Sequence, residues 1–417
     1  MTHVVIVGAG FAGLATVSGL SKAGAEVTII DKKLYSTFQP LLYQVATGGL
    51  NPGDIAYPVG GFIGRRKWRR SARYLRGEVA SVDAGGHRLK LTGGREVGYD
   101  YLILATGVAA AYFGVEGAAE NTFGLYTRAD AIVLRDHIMN GYERMSGNGE
   151  RDFNIVVVGG GATGVELAGT LGELRGAVLR ATFPDVDPQR VHVRLVEMAP
   201  ALLMPFGERL RDYARRQLVG RGVDIRLGAE IKVVRPDSVL LGDGQVLPSD
   251  LTVWAAGVAA PAAMADWGLP QGKGGRILVG PDLRVRGQDR IFAVGDIALN
   301  PDSPAPQLAQ PALQEGRHVA AQIGRLLARE PTEPFAYHDK GIMATIGRRS
   351  AVVQFPRGMR ITGTLAWLAW LALHLCYLLG YRNRISTLIN LTWRYIAWGH
   401  GSGVIVGDDP PAGRRAG

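Results

Sequence analysis

The apolar positions of this chain fall into short unbroken runs, each closed by glycines and followed by a longer mixed stretch. Such a pattern predicts buried parallel strands alternating with helices. Val4 to Val7 is the first run; a helix follows through about Ala23, then a second strand, Glu26 to Ile30, ends at Asp31. The arrangement recurs further along. Ile155 to Val158 reads as a strand, Val165-Glu166-Leu167-Ala168 continues a helix, and Val191 to Val196 forms a strand ending at Glu197. Each half is closed by a matching strand and turn, Asp100 to Gly107 in one and Asp250 to Gly257 in the other. Gly8 to Gly107 spans 99 positions and Gly159 to Gly257 spans 98. Two copies of one design at nearly equal span predict an α/β protein with two Rossmann-like dinucleotide-binding domains, as a duplication would give.

Near the C-terminus the pattern changes. Leu365 to Leu379 is almost wholly apolar but only fifteen residues long, about 22 Å as a helix against the roughly 30 Å of a bilayer core. Trp367, Trp370, His374 and Tyr377 share one helical face, and Leu368, Leu371, Leu375 and Leu379 a neighbouring one. Rings with polar tips beside leucines predict a helix lying in the lipid headgroup region. A second segment, Ile385 to Trp398, sets Ile385, Leu388, Ile389, Thr392 and Ile396 on one side, with Trp393, Tyr395 and Trp398 as further interfacial aromatics. Between Pro356 and His400 stand five arginines and no acid, which predicts attraction to an anionic membrane surface. A buried core helix or a homodimer interface is the alternative use of this face.

The glycines give the repeated strand–turn–helix its chemistry. Gly8-Ala9-Gly10-Phe11-Ala12-Gly13 and Gly159-Gly160-Gly161-Ala162-Thr163-Gly164 both read G-x-G-x-x-G. In each, the first glycine (Gly8, Gly159) permits the tight turn, and the second (Gly10, Gly161) lets a pyrophosphate approach the backbone. The third (Gly13, Gly164) lets helix and strand pack closely. The helix N-terminus then faces the phosphates, and the strand-ending acids, Asp31 and Glu197, suit ribose hydroxyls. A carboxylate at Glu197 pairs with a free 2′-hydroxyl and repels a 2′-phosphate, so NADH is favoured over NADPH.

Composition narrows the chemistry. The net charge is +10 over 417 residues. The basic residues are dispersed, and the densest cluster, Arg65 to Arg70, suits a solvated helix face better than a nucleic-acid patch. Cys376 is the single cysteine, which excludes an internal disulfide, a dithiol redox pair and a cysteine-rich metal site. No signal segment precedes the first strand, an expectation of a cytoplasmic body.

Ile291-Phe292-Ala293-Val294-Gly295-Asp296 is a further strand ending in a Gly-Asp turn. With the Leu102 to Gly107 turn, it resembles the two-dinucleotide-domain flavoproteins, the glutathione-reductase-like family. The resemblance implies FAD on the first fingerprint, with Asp296 bonding the ribityl chain and Lys32, Val79, Ala105, Thr106, Gly107, Gly295 and Ala309 contributing to the site. It puts NADH on the second, with Ala256 and Gly257 beside it. The implied domains are FAD-binding at 1–115 and 270–355, NADH-binding at 116–269, membrane-surface helices at 356–406 and a disordered tail at 407–417.

Two longer stretches narrow the resemblance. They are Phe38-Gln39-Pro40-Leu41-Leu42-Tyr43-Gln44-Val45-Ala46-Thr47 and Ala309-Gln310-Pro311-Ala312-Leu313-Gln314-Glu315-Gly316. Together with Tyr337 to Gly341 and Arg382-Asn383-Arg384, they are similar to the type II NADH dehydrogenases, single-subunit NADH:quinone oxidoreductases that pump no protons. The family implies two-electron transfer from NADH through FAD to a membrane quinone, from the cytoplasmic face of the inner (plasma) membrane. Pro311 suits a first helical turn, so Gln310 stands at a helix start, and Gln314 shares its face. Both amides suit a quinone carbonyl, or else cap and solvate the helix. Lys340 is a candidate to support the reduced quinone, or an ion-pair partner of Asp339. Glu166 is a first-turn acid, or lies near nicotinamide and flavin. The alternatives from other classes are a reductase of a soluble electron carrier and a redox-responsive binding flavoprotein resembling apoptosis-inducing factor.

Overall fold

The computed structural model describes residues 1–20, 24–64, 71–148 and 151–396. The Arg65 to Arg70 cluster, Ser21 to Ala23, Trp398 and the tail at 407–417 lie outside them, as does the Tyr395 side chain. Two compact units result, each assembled from separate stretches of chain. One comprises Met1–Ser36, Tyr57–Ala109 and Val258–Lys340; the other comprises Thr37–Ala56, Ala110–Gly257 and Gly341–Gly417.

The first unit is organised by a parallel sheet in the order Ile291–Ala293, Tyr101–Leu104, His3–Val7, Glu26–Asp31, Ala72–Arg76. Its central strand is Val/Ile-rich and buried on both faces, as a strand with a layer on each side must be. Beside it Val79–Asp83, Arg88–Leu91 and Glu96–Gly98 form an antiparallel meander. Helix Phe11–Leu20 packs along helix Ala309–Leu327.

The second unit repeats the plan. Its parallel sheet runs Phe123–Gly124, Leu251–Trp254, Phe153–Val158, Val191–Glu197, Val223–Leu227. The registers correspond: Val7 lies opposite Ile30 and Leu104 in one unit, Val158 opposite Val196 and Trp254 in the other. Gly8 and Gly159 share a φ of +107°. A Cβ on Gly13 would sit 1.9 Å from the Gly8 carbonyl, and one on Gly164 would sit 1.8 Å from that of Gly159. The two turns reach the same steric solution at the same places.

A third, antiparallel sheet (Ile342–Gly347, Ser350–Gln354, Arg360–Thr362) belongs to the second unit. Helix Ala162–Glu173 lies against it at Gly169, where a Cβ would meet the Ile346 carbonyl at 1.9 Å. Residues 37–56 group here too, because helix Leu42–Ala46 packs on helices Arg128–Asn148 and Ala162–Glu173. The compact units therefore divide the chain differently from the expected domains, which placed 37–56 and 341–355 with the first fingerprint.

The C-terminal helices correct the sequence-based picture of which faces are wet. In helix Gly363–Tyr377 the aromatic face is the inner one: Trp367 and Trp370 are buried, Trp367 against Ala351 and Val353. The exposed side carries Leu365, Leu368 and Leu373. The run is apolar all round, so periodicity does not mark its inner face, and the indoles bury the most area. Helix Tyr381–Ile396 is turned inside out. Asn383 and Thr387 are buried, and Ser386 and Asn390 donate to Asp54 at 2.6 and 2.7 Å. Outside stand Ile385, Leu388, Ile389 and Trp393, the last 65% exposed. Among the described residues no helix is long and apolar enough to cross a membrane.

Candidate functional site

In the first unit the Gly8–Gly13 turn could hold a phosphate-bearing ligand. A Cβ on Gly8 would strike the Ala105 carbonyl at 2.1 Å, so the turn lies tight on the closing strand; above Gly10 a Cβ would meet nothing within 4 Å. The chain thus leaves open space where a pyrophosphate must approach. Asp31 accepts from the Ala9 and Lys33 amides at 2.7 and 2.8 Å, which fixes its carboxylate at the strand end. Lys32 pairs with Glu78 at the surface, and Val79 opens the meander strand. Ala105 is buried, and the Thr106 hydroxyl contacts Met264 Sδ. Gly107 (φ +68°) and Gly295 (φ +75°) both take left-handed turns. Asp296 follows strand Ile291–Ala293, half-buried, and burial pushes its carboxyl up while the Arg276 guanidinium opposes the shift.

Helix Ala309–Leu327 begins in the same unit, with Ala309 and Gln310 in its first turn and Pro311 next. Gln310 is half-buried. Gln314 is engaged: its amide donates to the His338 carbonyl at 2.9 Å and accepts the His338 N–H at 3.0 Å. It braces the exposed segment that carries Lys340 rather than presenting a free amide.

In the second unit the same construction recurs at Gly159–Gly164. The space above Gly161 is open, and a Cβ on Gly159 would meet the Ala255 carbonyl at 2.6 Å. Glu197 is held by the Gly160 and Ala199 amides at 2.5 and 2.6 Å. Ala256 is exposed, and the Gly257 carbonyl accepts from the Ala111 amide.

Glu166 is the fifth residue of helix Ala162–Glu173 and is buried. Burial pushes its pKa up to about 8; the Thr345 amide, which it accepts at 3.3 Å, offsets part of that cost. The Trp370 indole N–H makes no fully formed hydrogen bond, yet lies near enough to the carboxyl to offset a further part. At pH 7 Glu166 is therefore a carboxylic acid, able to donate. Trp370 stacks on His374 at 4.1 Å between centroids, and His374 meets Phe38 edge-on. Burial holds His374 neutral, with its pKa down to about 4. Its Nδ1 lies 2.7 Å from the Trp370 carbonyl, which only accepts, so Nδ1 carries the proton and Nε2 is left as an acceptor. Below them, Gln44 donates to the Tyr43 hydroxyl and accepts from Arg394 at 2.5 Å.

The comparisons with known proteins give the family. The family model described as pyridine nucleotide-disulphide oxidoreductase matches residues 2–316. The type II NADH:quinone oxidoreductase NdhA of Mycobacterium tuberculosis is 39% identical, covering 95% of this chain and 86% of its own. The chain belongs to the type II NADH:quinone oxidoreductases. The Staphylococcus aureus enzyme of the same name is 33% identical over 84% of this chain and 88% of its own. NDH2 of Plasmodium falciparum, solved in complex with NADH, is 18% identical but shares the fold at a TM-score of 0.86, covering 95% of this chain and 99% of the other. The single cysteine sets this member apart from the dithiol chemistry in the broader family's name.

Sequence reasoning assigned no site role to several residues that the structure makes prominent. Glu315 and Arg276 flank the Gly295 turn, Asp54 and Arg394 bind 37–56 to the last helix, and His374 sits among the aromatics. Glu315 carried a signal as an acid at a core position of its helix between Ala312 and Val319, and His374 by sharing a helical face with Trp367 and Trp370.

Proposed function

We propose that this protein oxidises NADH and reduces a membrane quinone through FAD, pumping no protons. Overall, NADH, one proton and the quinone become NAD⁺ and the quinol. The flavin supplies the switch from hydride acceptance to electron donation when bound; the chain's own residues bind, orient and supply protons. FAD is assigned to Gly8, Gly10, Gly13 and Asp31, with Ala105, Thr106, Gly107, Gly295, Asp296 and Ala309 completing the site. NADH is assigned to Gly159, Gly161, Gly164 and Glu197. Glu197, already holding two amides, retains lone pairs for a ribose diol and repels a 2′-phosphate. Glu166, uncharged at neutral pH, orients its neighbours without placing a carboxylate beside a reduced cofactor. Gln310 offers an amide to a quinone carbonyl, and Lys340 a cation to the reduced quinone.

The observation that carries a membrane-borne acceptor, rather than a soluble one, is the inverted last helix. A helix with Asn383, Ser386, Thr387 and Asn390 inside and Ile385, Leu388, Ile389 and Trp393 outside is unfavourable in water and favourable on a lipid surface. Arg357, Arg360, Arg382 and Arg384, with no nearby acid in the sequence, favour anionic lipid at the cytoplasmic leaflet. A second copy of the chain is the other occupant this face suits.

The test compares NADH oxidation by the FAD-loaded protein with a soluble short-chain quinone and with a long-chain quinone in anionic vesicles. A variant carrying Ile385→Ser, Ile389→Ser and Trp393→Ser is run beside it. The reading expects fast turnover with both acceptors, and selective loss of the vesicle reaction in the variant. Turnover only with a soluble protein carrier would overturn it.

A further inference from the structure

Helix Ala309–Leu327 turns Ala312, Glu315, Gly316, Val319, Ala320 and Ile323 inward. One of these six is an acid. Glu315 is 4% exposed, and its Oε2 accepts the Gly295 N–H at 2.5 Å. The two helices meet closely here: a Cβ on Gly316 would lie 2.3 Å from the Ala12 carbonyl. Asp296, the next residue of that turn, is a second, half-buried carboxyl, and burial pushes its pKa up. One cation serves both. Arg276 donates from Nε to the Asp296 carbonyl at 2.9 Å and from a terminal nitrogen to the Ala298 carbonyl, and its charge bears on Asp296 and Glu315 alike. Helix Phe11–Leu20, packed against this face, brings no titratable group. Two carboxyls and one guanidinium carry one net negative charge when fully ionised and none when a single proton is held. Burial and the neighbouring Asp296 push Glu315 up to about 7, against the Gly295 hydrogen bond and Arg276. The cluster therefore holds that proton only partly at neutral pH.

We propose that Glu315 is the proton-exchanging partner of flavin reduction, taking a proton from solvent when the cofactor at the Gly295–Asp296 turn is reduced and releasing it on reoxidation. The proposal rests on the assignment of FAD to this unit. The balance is simple. Hydride leaves NADH as NAD⁺, the reduced flavin keeps that hydrogen and one negative charge, and the Glu315 carboxylate forms one O–H bond with a solvent proton. A negative charge added near a half-protonated carboxyl raises its pKa, and by linkage the proton taken up raises the flavin's midpoint potential.

Spectroelectrochemistry of the holoenzyme between pH 6 and 9 reads this directly, beside proton uptake followed with an indicator dye in weak buffer during anaerobic reduction. Each proton taken up with two electrons adds about 30 mV per pH unit to the slope of midpoint potential. The wild type is expected to steepen by up to that amount just above pH 7 and relax again towards pH 9. Glu315→Gln is expected to lose the extra slope and the extra proton. If Glu315→Gln does not hold FAD, the wild-type curve and dye signal decide alone: a slope constant from pH 7 to 9 overturns the proposal. Equal curves for wild type and Glu315→Gln overturn it too. Failure of the protein to bind FAD, or of NADH to bleach it, removes the underlying assignment, and this proposal falls with it.

Discussion

Glu166 makes stability itself a reporter of the site. Its pKa of about 8 in the folded chain stands against 4.5 as the ordinary value. A carboxyl whose pKa is raised on folding binds more protons folded than unfolded. Its contribution is thus complete below pH 4.5 and lost as pH rises through 8. At 1.36 kcal/mol per unit the whole span amounts to about 5 kcal/mol. Most assays reach only part of it; between pH 6 and 8 the loss is about 2 kcal/mol, because titration is half complete at the upper limit. Glu166→Gln keeps the shape and the hydrogen-bonding capacity but cannot ionise. Denaturant midpoints of the FAD-loaded protein at pH 6 and 8 give a difference for each form, and subtracting them removes every other titrating group, Glu315 included. The wild type should lose about 2 kcal/mol more than the variant over this interval. Equal losses would mean that Glu166 is not a buried neutral acid, and its place in the mechanism would go with that.

Gly13→Ala puts a Cβ 1.9 Å from the Gly8 carbonyl and should yield protein lacking FAD, seen as loss of flavin absorbance at constant protein yield. Glu197→Gln keeps one acceptor and removes the charge that repels a 2′-phosphate; the ratio of kcat/KM for NADH over NADPH should fall about tenfold, roughly 1.4 kcal/mol. Ile389→Ser with Trp393→Ser should weaken sedimentation with anionic vesicles by at least about a hundredfold, since each large apolar side chain contributes about 1.5–3 kcal/mol when buried. The flavin spectrum and the rate with a soluble quinone should stay unchanged in that variant.

The duplicated core was legible because steric necessity writes itself into residue types. Only glycine fits where a Cβ would lie within 2 Å of a carbonyl, and only unbroken Val/Ile runs suit strands covered on both faces. What sequence spacing did not carry was long-range. Residues 37–56 follow the first fingerprint in sequence, yet Asp54, Ala56 and Gln44 are bound by Ser386, Asn390, Asn383 and Arg394, over 320 positions away. Gln314 looked equivalent to Gln310 on one helical face, but the loop ending at Lys340 occupies its amide. The run at Leu365 offered no polar side to mark its outer face, so the aromatics were assigned to lipid when burial places them inside. That reversal decides which variant tests the membrane face. Ending the chain near Phe355 would remove the core residues Trp367 and Trp370, whereas serine substitutions on the outer face of Tyr381–Ile396 leave the packing intact.

The central claim, electron transfer from NADH through flavin to quinone, is tested most directly by double mixing under anaerobic conditions. One equivalent of NADH is added to the FAD-loaded protein, the flavin absorbance is followed as it bleaches, and a short-chain quinone is then mixed in. The account predicts prompt recovery of the oxidised flavin spectrum with one equivalent of quinol formed. A flavin that NADH bleaches but quinone leaves reduced would contradict it.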